Sequence, residues 1–95
     1  MPELPKSVEI VEVAARDGIQ NEQTVLSVDT KLELIRRAID AGARRLEVTS
    51  FVNPRRVPQM ADADELAARL PRGAARYVGL ALNARGFERA VAAGL

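Results

Sequence analysis

Val11-Glu12-Val13-Ala14-Ala15-Arg16-Asp17-Gly18-Ile19-Gln20-Asn21-Glu22 begins as an apolar strand and ends by presenting an arginine and an aspartate side by side, just before a glycine. A cation beside a carboxylate at the C-terminal end of a strand can hold a divalent metal and an anionic oxygen in one place, which suits carbonyl chemistry. The same residues also fit a plainer reading. Asp-Gly is a common turn dipeptide, and adjacent Arg-Asp is an ordinary surface pair.

Outward from this run, strand-like and helix-like segments alternate. Residues 8–15 read as a strand, and 29–41 as a helix with Leu32, Ile35, Ala38 and Ile39 on one face. Lys31, Glu33, Arg36, Arg37 and Asp40 fall largely elsewhere, Thr30 and Glu33 have capping-box spacing, and Gly42 suits a helix stop. Residues 45–51 read as a second strand, and 62–70 as a short helix with Asp62 and Glu65 at capping spacing. A third strand spans 76–82, and Asn83 is placed to cap a last helix in which Phe87, Ala90 and Val91 share a face.

This alternation predicts parallel strands joined by right-handed crossovers, in a closed barrel or a doubly wound open sheet. Each strand divides into two sides. Val11 and Val13 oppose Ile10, Glu12, Ala14 and Arg16; Leu46 and Val48 oppose Glu47 and Thr49; Val78, Leu80 and Leu82 oppose Tyr77, Gly79, Ala81 and Asn83. The expectation is that the aliphatic sides meet the helices and the mixed sides line the interior. No Gly-rich phosphate loop of standard spacing is present, which weakens a nucleotide-binding reading.

A second landmark, Leu46-Glu47-Val48-Thr49-Ser50-Phe51-Val52-Asn53-Pro54, leads into Arg55-Arg56-Val57-Pro58-Gln59-Met60. In this order and at this separation, the two stretches closely resemble the 3-hydroxy-3-methylglutaryl-CoA lyase family, metal-dependent enzymes of a superfamily of lyases and Claisen-condensing synthases built on a TIM barrel. The family pattern reads approximately Val-Glu-Val-Gly-Pro-Arg-Asp-Gly-Leu-Gln-Asn-Glu, then Glu-x-Thr-Ser-Phe-Val-x-Pro-x-x-Val-Pro-Gln-Met. This chain keeps nearly all of it, with Ala14-Ala15 for Gly-Pro and Ile19 for Leu. Arg-Asp-Gly after a strand is shared by the wider superfamily, whereas the Thr-Ser-Phe-Val and Val-Pro-Gln-Met pieces look particular to the lyases.

The resemblance implies an α/β fold comprising the first three βα units of a TIM (β/α)8 barrel, with residues 1–95 forming an incomplete catalytic domain. The chain has 95 residues, against about 250 for a whole barrel. Chemistry is then expected at the strand C-termini, where Arg16, Asp17, Gln20, Glu47, Ser50 and Asn83 fall, with Glu12 deeper inside. Asp17 matches the family's carboxylate ligand to a divalent cation, Mg2+ or Mn2+. Arg16 matches the arginine that stabilises enolate charge on a thioester oxygen. Glu12 and Glu47 match interior acids expected to hold Arg16 in place. Gln20 and Ser50 are expected at the substrate, although Gln20 also fits a plain loop role, and Arg55 and Arg56 fit a solvated loop pair better than a phosphate site.

The implied reaction cleaves 3-hydroxy-3-methylglutaryl-CoA to acetoacetate and acetyl-CoA. The family's other metal ligands, a His-x-His pair and an asparagine from later strands, and its acid, a cysteine on a late loop, have no position here. The chain alone is therefore expected to be inactive. The implied partners are an acyl-CoA substrate and, for the full-length enzyme, a second copy in a homodimer. The rival readings are a condensing synthase of the isopropylmalate or homocitrate type, a lyase for another branched acyl-CoA, and a non-catalytic α/β module.

Composition narrows the classes further. A net charge of +1 with 28% charged residues gives no nucleic-acid or membrane-surface signal, and 3% aromatics gives no stacking platform for single strands. Without cysteine or histidine the segment has no disulfide or thiol chemistry and lacks the commonest general base. The proline-broken, polar start does not read as a signal or transit peptide, and no apolar run reaches membrane-spanning length. A bacterial cytoplasmic protein is expected.

Overall fold

A computed structural model of the chain describes residues 3–95. Two strands, β1 (Arg45–Ser50) and β2 (Arg76–Leu80), pair in parallel, with Arg45 opposite Arg76 and Ser50 opposite Leu80. Helix α1 (Val28–Asp40) precedes β1, α2 (Ala63–Ala68) lies between the strands, and α3 (Ala84–Ala92) follows β2. Leu32 and Ile35 of α1, Leu46 and Val48 of β1, and Leu66 and Leu70 form one buried cluster, and Phe51 with Ala63 and Ala67 forms a second. These are the parallel βα units that the alternation predicts.

The expected first strand is reduced to one point. Glu12 forms a single parallel bridge to Leu46: its N–H donates to the Arg45 carbonyl and its carbonyl accepts from Glu47 N–H, both at 2.9 Å. Residues 8–15 thus follow β1 in the predicted direction but do not make a strand. Their outer edge has no neighbour among the described residues, leaving Val8 and Ile10 exposed. The Ala14–Gly18 stretch then leaves the extended path for a π-helical turn.

The caps show local chemistry at work. Ser27, in extended conformation, accepts the Thr30 N–H at 3.1 Å and starts α1, so the cap lies three residues before the predicted Thr30. Gly42 adopts φ 113°, a left-handed conformation that ends the helix at little steric cost. Asn83 caps α3 as expected, with Oδ1 accepting from Gly86 N–H at 2.8 Å. Asp62 makes no cap on α2, because its carboxylate is taken by Lys31. Lys31 itself, predicted among the outward residues of α1, is fully buried.

Two further corrections bear on the site. The strand register shifts between Glu47 and Thr49, so the alternation of sides slips by one residue. Ser50 then reaches the side of Glu47 and bonds Gln20, while Thr49 is buried against Met60. On β2 the expected sides are exchanged. Tyr77 packs on the core, and a Cβ at Gly79 would lie 2.7 Å from the Phe51 ring, so this side faces the helices. Val78, opposite Glu47, and Leu80, opposite Ser50, therefore take the interior side. The glycine is what lets β2 accept the phenyl ring.

Candidate active site

The turn after the first segment is built around one carbonyl. Val13 O accepts the N–H groups of Arg16, Asp17 and Gly18 at 3.1, 2.8 and 3.2 Å. Glu12 closes the same turn, its Oε1 accepting Ala14 N–H at 3.1 Å. This winding brings the Arg16 side chain to the middle of β1, where its Nε donates to Glu47 Oε1 at 2.5 Å. Both side chains of that pair are only 19% exposed. A charge-assisted bond of this length between half-buried partners fixes the guanidinium plane.

Asp17 lies beside it with Oδ1 3.5 Å from Arg16 Nη1 and a side chain 62% exposed. Arg16 thus bonds Glu47 through Nε and Asp17 at longer range through Nη1, and among the described residues only its Nη2 has no hydrogen-bond partner. Gln20 and Ser50 come together at 3.3 Å, Ser50 donating to Gln20 Oε1.

The structure thus joins Arg16, Asp17 and Glu47 in one group and Gln20 with Ser50 in a second, each tying the 16–20 loop to β1. Glu12 does not join them. Its register sets it level with core-facing Leu46, and its carboxylate serves the turn, with no hydrogen bond to Arg16 among the described residues. Asn83 is spent as the α3 cap, and Arg55 and Arg56 are exposed.

A hard divalent cation fits Asp17, whose anionic oxygens are accessible and face no strong partner. Glu47 is committed to Arg16, and no group of three or more His, Cys, Asp or Glu side chains is arranged to hold a metal among the described residues. Among the described residues the segment can therefore offer one carboxylate ligand, Asp17.

Sequence reasoning missed the polar residues that support this loop. Gln59 donates from Nε2 to the Glu22 carbonyl, and Lys31 donates to the Gln59 carbonyl and to Asp62. Arg89 also went unremarked; it bonds Asp64 at 2.9 Å and the Val52 carbonyl at 3.1 Å, with its guanidinium 5.6 Å from the Phe51 ring centroid. One signal was available for the first set, a lysine at the start of α1 adjoining its apolar stripe.

Fold and site together define the opening units of a parallel βα barrel carrying an arginine–carboxylate site at its strand ends. No protein-family model matches the chain. It is 48% identical over 101 residues to the (R)-citramalyl-CoA lyase of Chloroflexus aurantiacus, covering 95% of this chain and 32% of that protein. It is 48% identical over 99 residues to the cytoplasmic 3-hydroxy-3-methylglutaryl-CoA lyase of Mus musculus, covering 99% of this chain and 28% of that protein. The crystal structure of hydroxymethylglutaryl-CoA lyase from Pseudomonas aeruginosa superposes with a TM-score of 0.89 at 44% identity, over 97% of this chain and 31% of that one. An Acinetobacter baumannii HMG-CoA lyase, solved in complex with coenzyme A and 3-methylmalate, superposes at 0.84 with 38% identity, over 90% of this chain and 28% of that one. The chain is homologous to the N-terminal portion of hydroxymethylglutaryl-CoA lyases, and it spans about a third of the length of these relatives.

Proposed function

We propose that this segment is the N-terminal part of a carbon–carbon lyase that cleaves 3-hydroxy-3-methylglutaryl-CoA to acetoacetate and acetyl-CoA. The observation that carries the reading is the placing of Arg16, its Nε held by half-buried Glu47, its Nη1 beside exposed Asp17 and its Nη2 without a partner among the described residues. In the cleavage, loss of the hydroxyl proton forms the ketone of acetoacetate as the bond to the acetyl-CoA carbon breaks, and that electron pair passes onto the thioester oxygen. Arg16 meets the charge with donors already oriented, so little reorganisation accompanies bond breaking. Glu47 holds the guanidinium plane, and Glu12 acts through the turn that presents it. Gln20 and Ser50 border the loop on which the acyl group rests.

Asp17 would hold Mg2+ or Mn2+, which supplies Lewis acidity toward the substrate hydroxyl and carboxylate oxygens. The remaining ligands and the acid that reprotonates the enolate lie outside these residues, so residues 1–95 are read as an incomplete catalytic domain. No helix in the described residues is long and apolar enough to cross a membrane. The similarity to lyases from bacteria supports placing the enzyme in a bacterial cytoplasm. The resemblance supports a homodimer for the full-length form.

The 48% identity to a citramalyl-CoA lyase favours a second reading for the acyl group, the same bond-breaking step on citramalyl-CoA. The test is a chimaera in which this segment replaces the matching third of the Pseudomonas aeruginosa lyase. We expect metal-dependent cleavage of 3-hydroxy-3-methylglutaryl-CoA with the higher kcat/KM. A higher kcat/KM on citramalyl-CoA would move the assignment to the second reading, and cleavage of neither would end both.

A further inference from the structure

The fully buried Lys31 is a poor choice for packing alone. A buried ion pair is often no more stabilising than apolar residues of the same volume. Its Nζ nevertheless finds acceptors for all three protons: the Gln59 carbonyl, and both Asp62 carboxylate oxygens at 2.8 and 3.0 Å. The line continues outward through Gln59, whose Nε2 donates to the Glu22 carbonyl, and then through Glu22 N–H, which donates to the Ile19 carbonyl at 3.2 Å. Ile19 is two residues beyond Asp17. A polar chain thus runs from the core at the start of α1 to the loop bearing Arg16, Asp17 and Gln20. The same loop is tied a second time where Ser50 bonds Gln20.

We infer that Lys31 is a positioning residue for the 16–22 loop, acting through Gln59, with Asp62 as its counter-charge. A merely structural role would be to join α1 to α2 through Lys31 and Asp62. Gln59 separates the two roles, because its amide bonds only the Glu22 carbonyl and contributes nothing to that joint. The inference uses the lyase reading only for what the loop positions.

The test uses the chimaeric barrel and two readouts, amide hydrogen exchange and the Mn2+ requirement. Gln59→Leu removes the donor and leaves Lys31 and Asp62 paired. Exchange across residues 16–22 is expected to quicken by about an order of magnitude as local opening becomes easier, while α1 and β1 keep their rates. The Mn2+ concentration for half-maximal activity is expected to rise roughly tenfold, in the range seen when the supports of metal ligands are removed, with kcat at saturating Mn2+ little changed. Lys31→Met should raise the Mn2+ requirement to the same degree and also lower the melting temperature. The double variant should need no more Mn2+ than Lys31→Met, because both residues act on one chain of bonds.

Unchanged exchange and Mn2+ requirement in Gln59→Leu would overturn the inference, and so would additive effects in the double variant. If Lys31→Met does not fold, Gln59→Leu decides. An inactive unsubstituted chimaera would count against the lyase reading instead, and the exchange rates of the loop would still decide for or against the positioning role.

Discussion

Arg16 and Asp17 are neighbours in the chain but differ in what surrounds them, and the difference predicts separable phenotypes. Arg16 is clamped and mostly buried, whereas Asp17 is open to a ligand. In the chimaeric barrel Asp17→Asn keeps the shape and removes the anionic charge, so activity should fall at limiting metal and recover in part at excess Mg2+. Arg16→Gln should leave metal affinity nearly intact and lower turnover by about 10²–10³, the scale of losing one oxyanion donor. Arg16→Lys should recover little, because an ammonium cannot bond Glu47 along one edge and substrate along the other. Titrating activity against Mg2+ for all three variants checks this, and metal rescue of Arg16→Gln with indifference in Asp17→Asn would reverse the two roles. The Arg-Asp pair was legible in the sequence because its spacing from the strand is local. The bond from Arg16 to Glu47 spans 31 positions, and it was reached only through a family resemblance.

Among the elements, helix ends carry much of the local specification. Ser27→Ala should destabilise the domain by about 1 kcal/mol, since it orphans an N–H of the first turn, and Thr30→Val should cost less because it removes only the Ser27–Thr30 hydroxyl bond and keeps the capped N–H. Chemical denaturation of the chimaera checks the pair, and equal losses would restore the cap to Thr30. Helix positions, the Asn83 cap of α3 and the Gly42 stop of α1 were readable because they depend on residues within one turn of each other. Three features were not. The first segment reads as a strand on propensity, yet it touches β1 at one bridge and then winds into the Ala14–Gly18 turn, which a local pattern does not reveal. The exchange of sides on β2 depends on Phe51, almost thirty residues away, demanding the space at Gly79. Lys31 looked solvent-facing because its three acceptors come from the 59–62 stretch.

The whole molecule carries the mark of unfinished burial. Its radius of gyration is 14.2 Å, above the roughly 12 Å of a compact chain this long. Phe87 and Val91, the predicted apolar face of α3, are 64% and 55% exposed, and Leu82 is also exposed just past β2. Of the predicted α3 stripe only Ala90 packs on the core, together with Ala93, while Phe87 and Val91 face outward. Among the described residues, unpaired edges flank the sheet at 8–11 and along β2, where another strand can add. We expect the isolated 95 residues to self-associate at micromolar concentration, and Phe87→Gln with Val91→Lys to reduce that association without disturbing the core. Sedimentation velocity against concentration checks both statements, and a sharply melting monomer of the unsubstituted chain would refute the first.

The register shift between Glu47 and Thr49 makes the length of β1 as consequential as its composition. Were one residue deleted there, alternation would become regular, a change that strand propensity alone would score as an improvement. The repaired strand would keep Thr49 opposite Gly79 and Ser50 opposite Leu80, but it would strip the fully buried Val48 side chain from the core, and an insertion would have to lodge a second unpaired residue there. A library of single-residue insertions and deletions should therefore find the loop at 53–57 permissive and this half-turn of strand intolerant, even where every substitution at Val48 to another aliphatic residue is accepted.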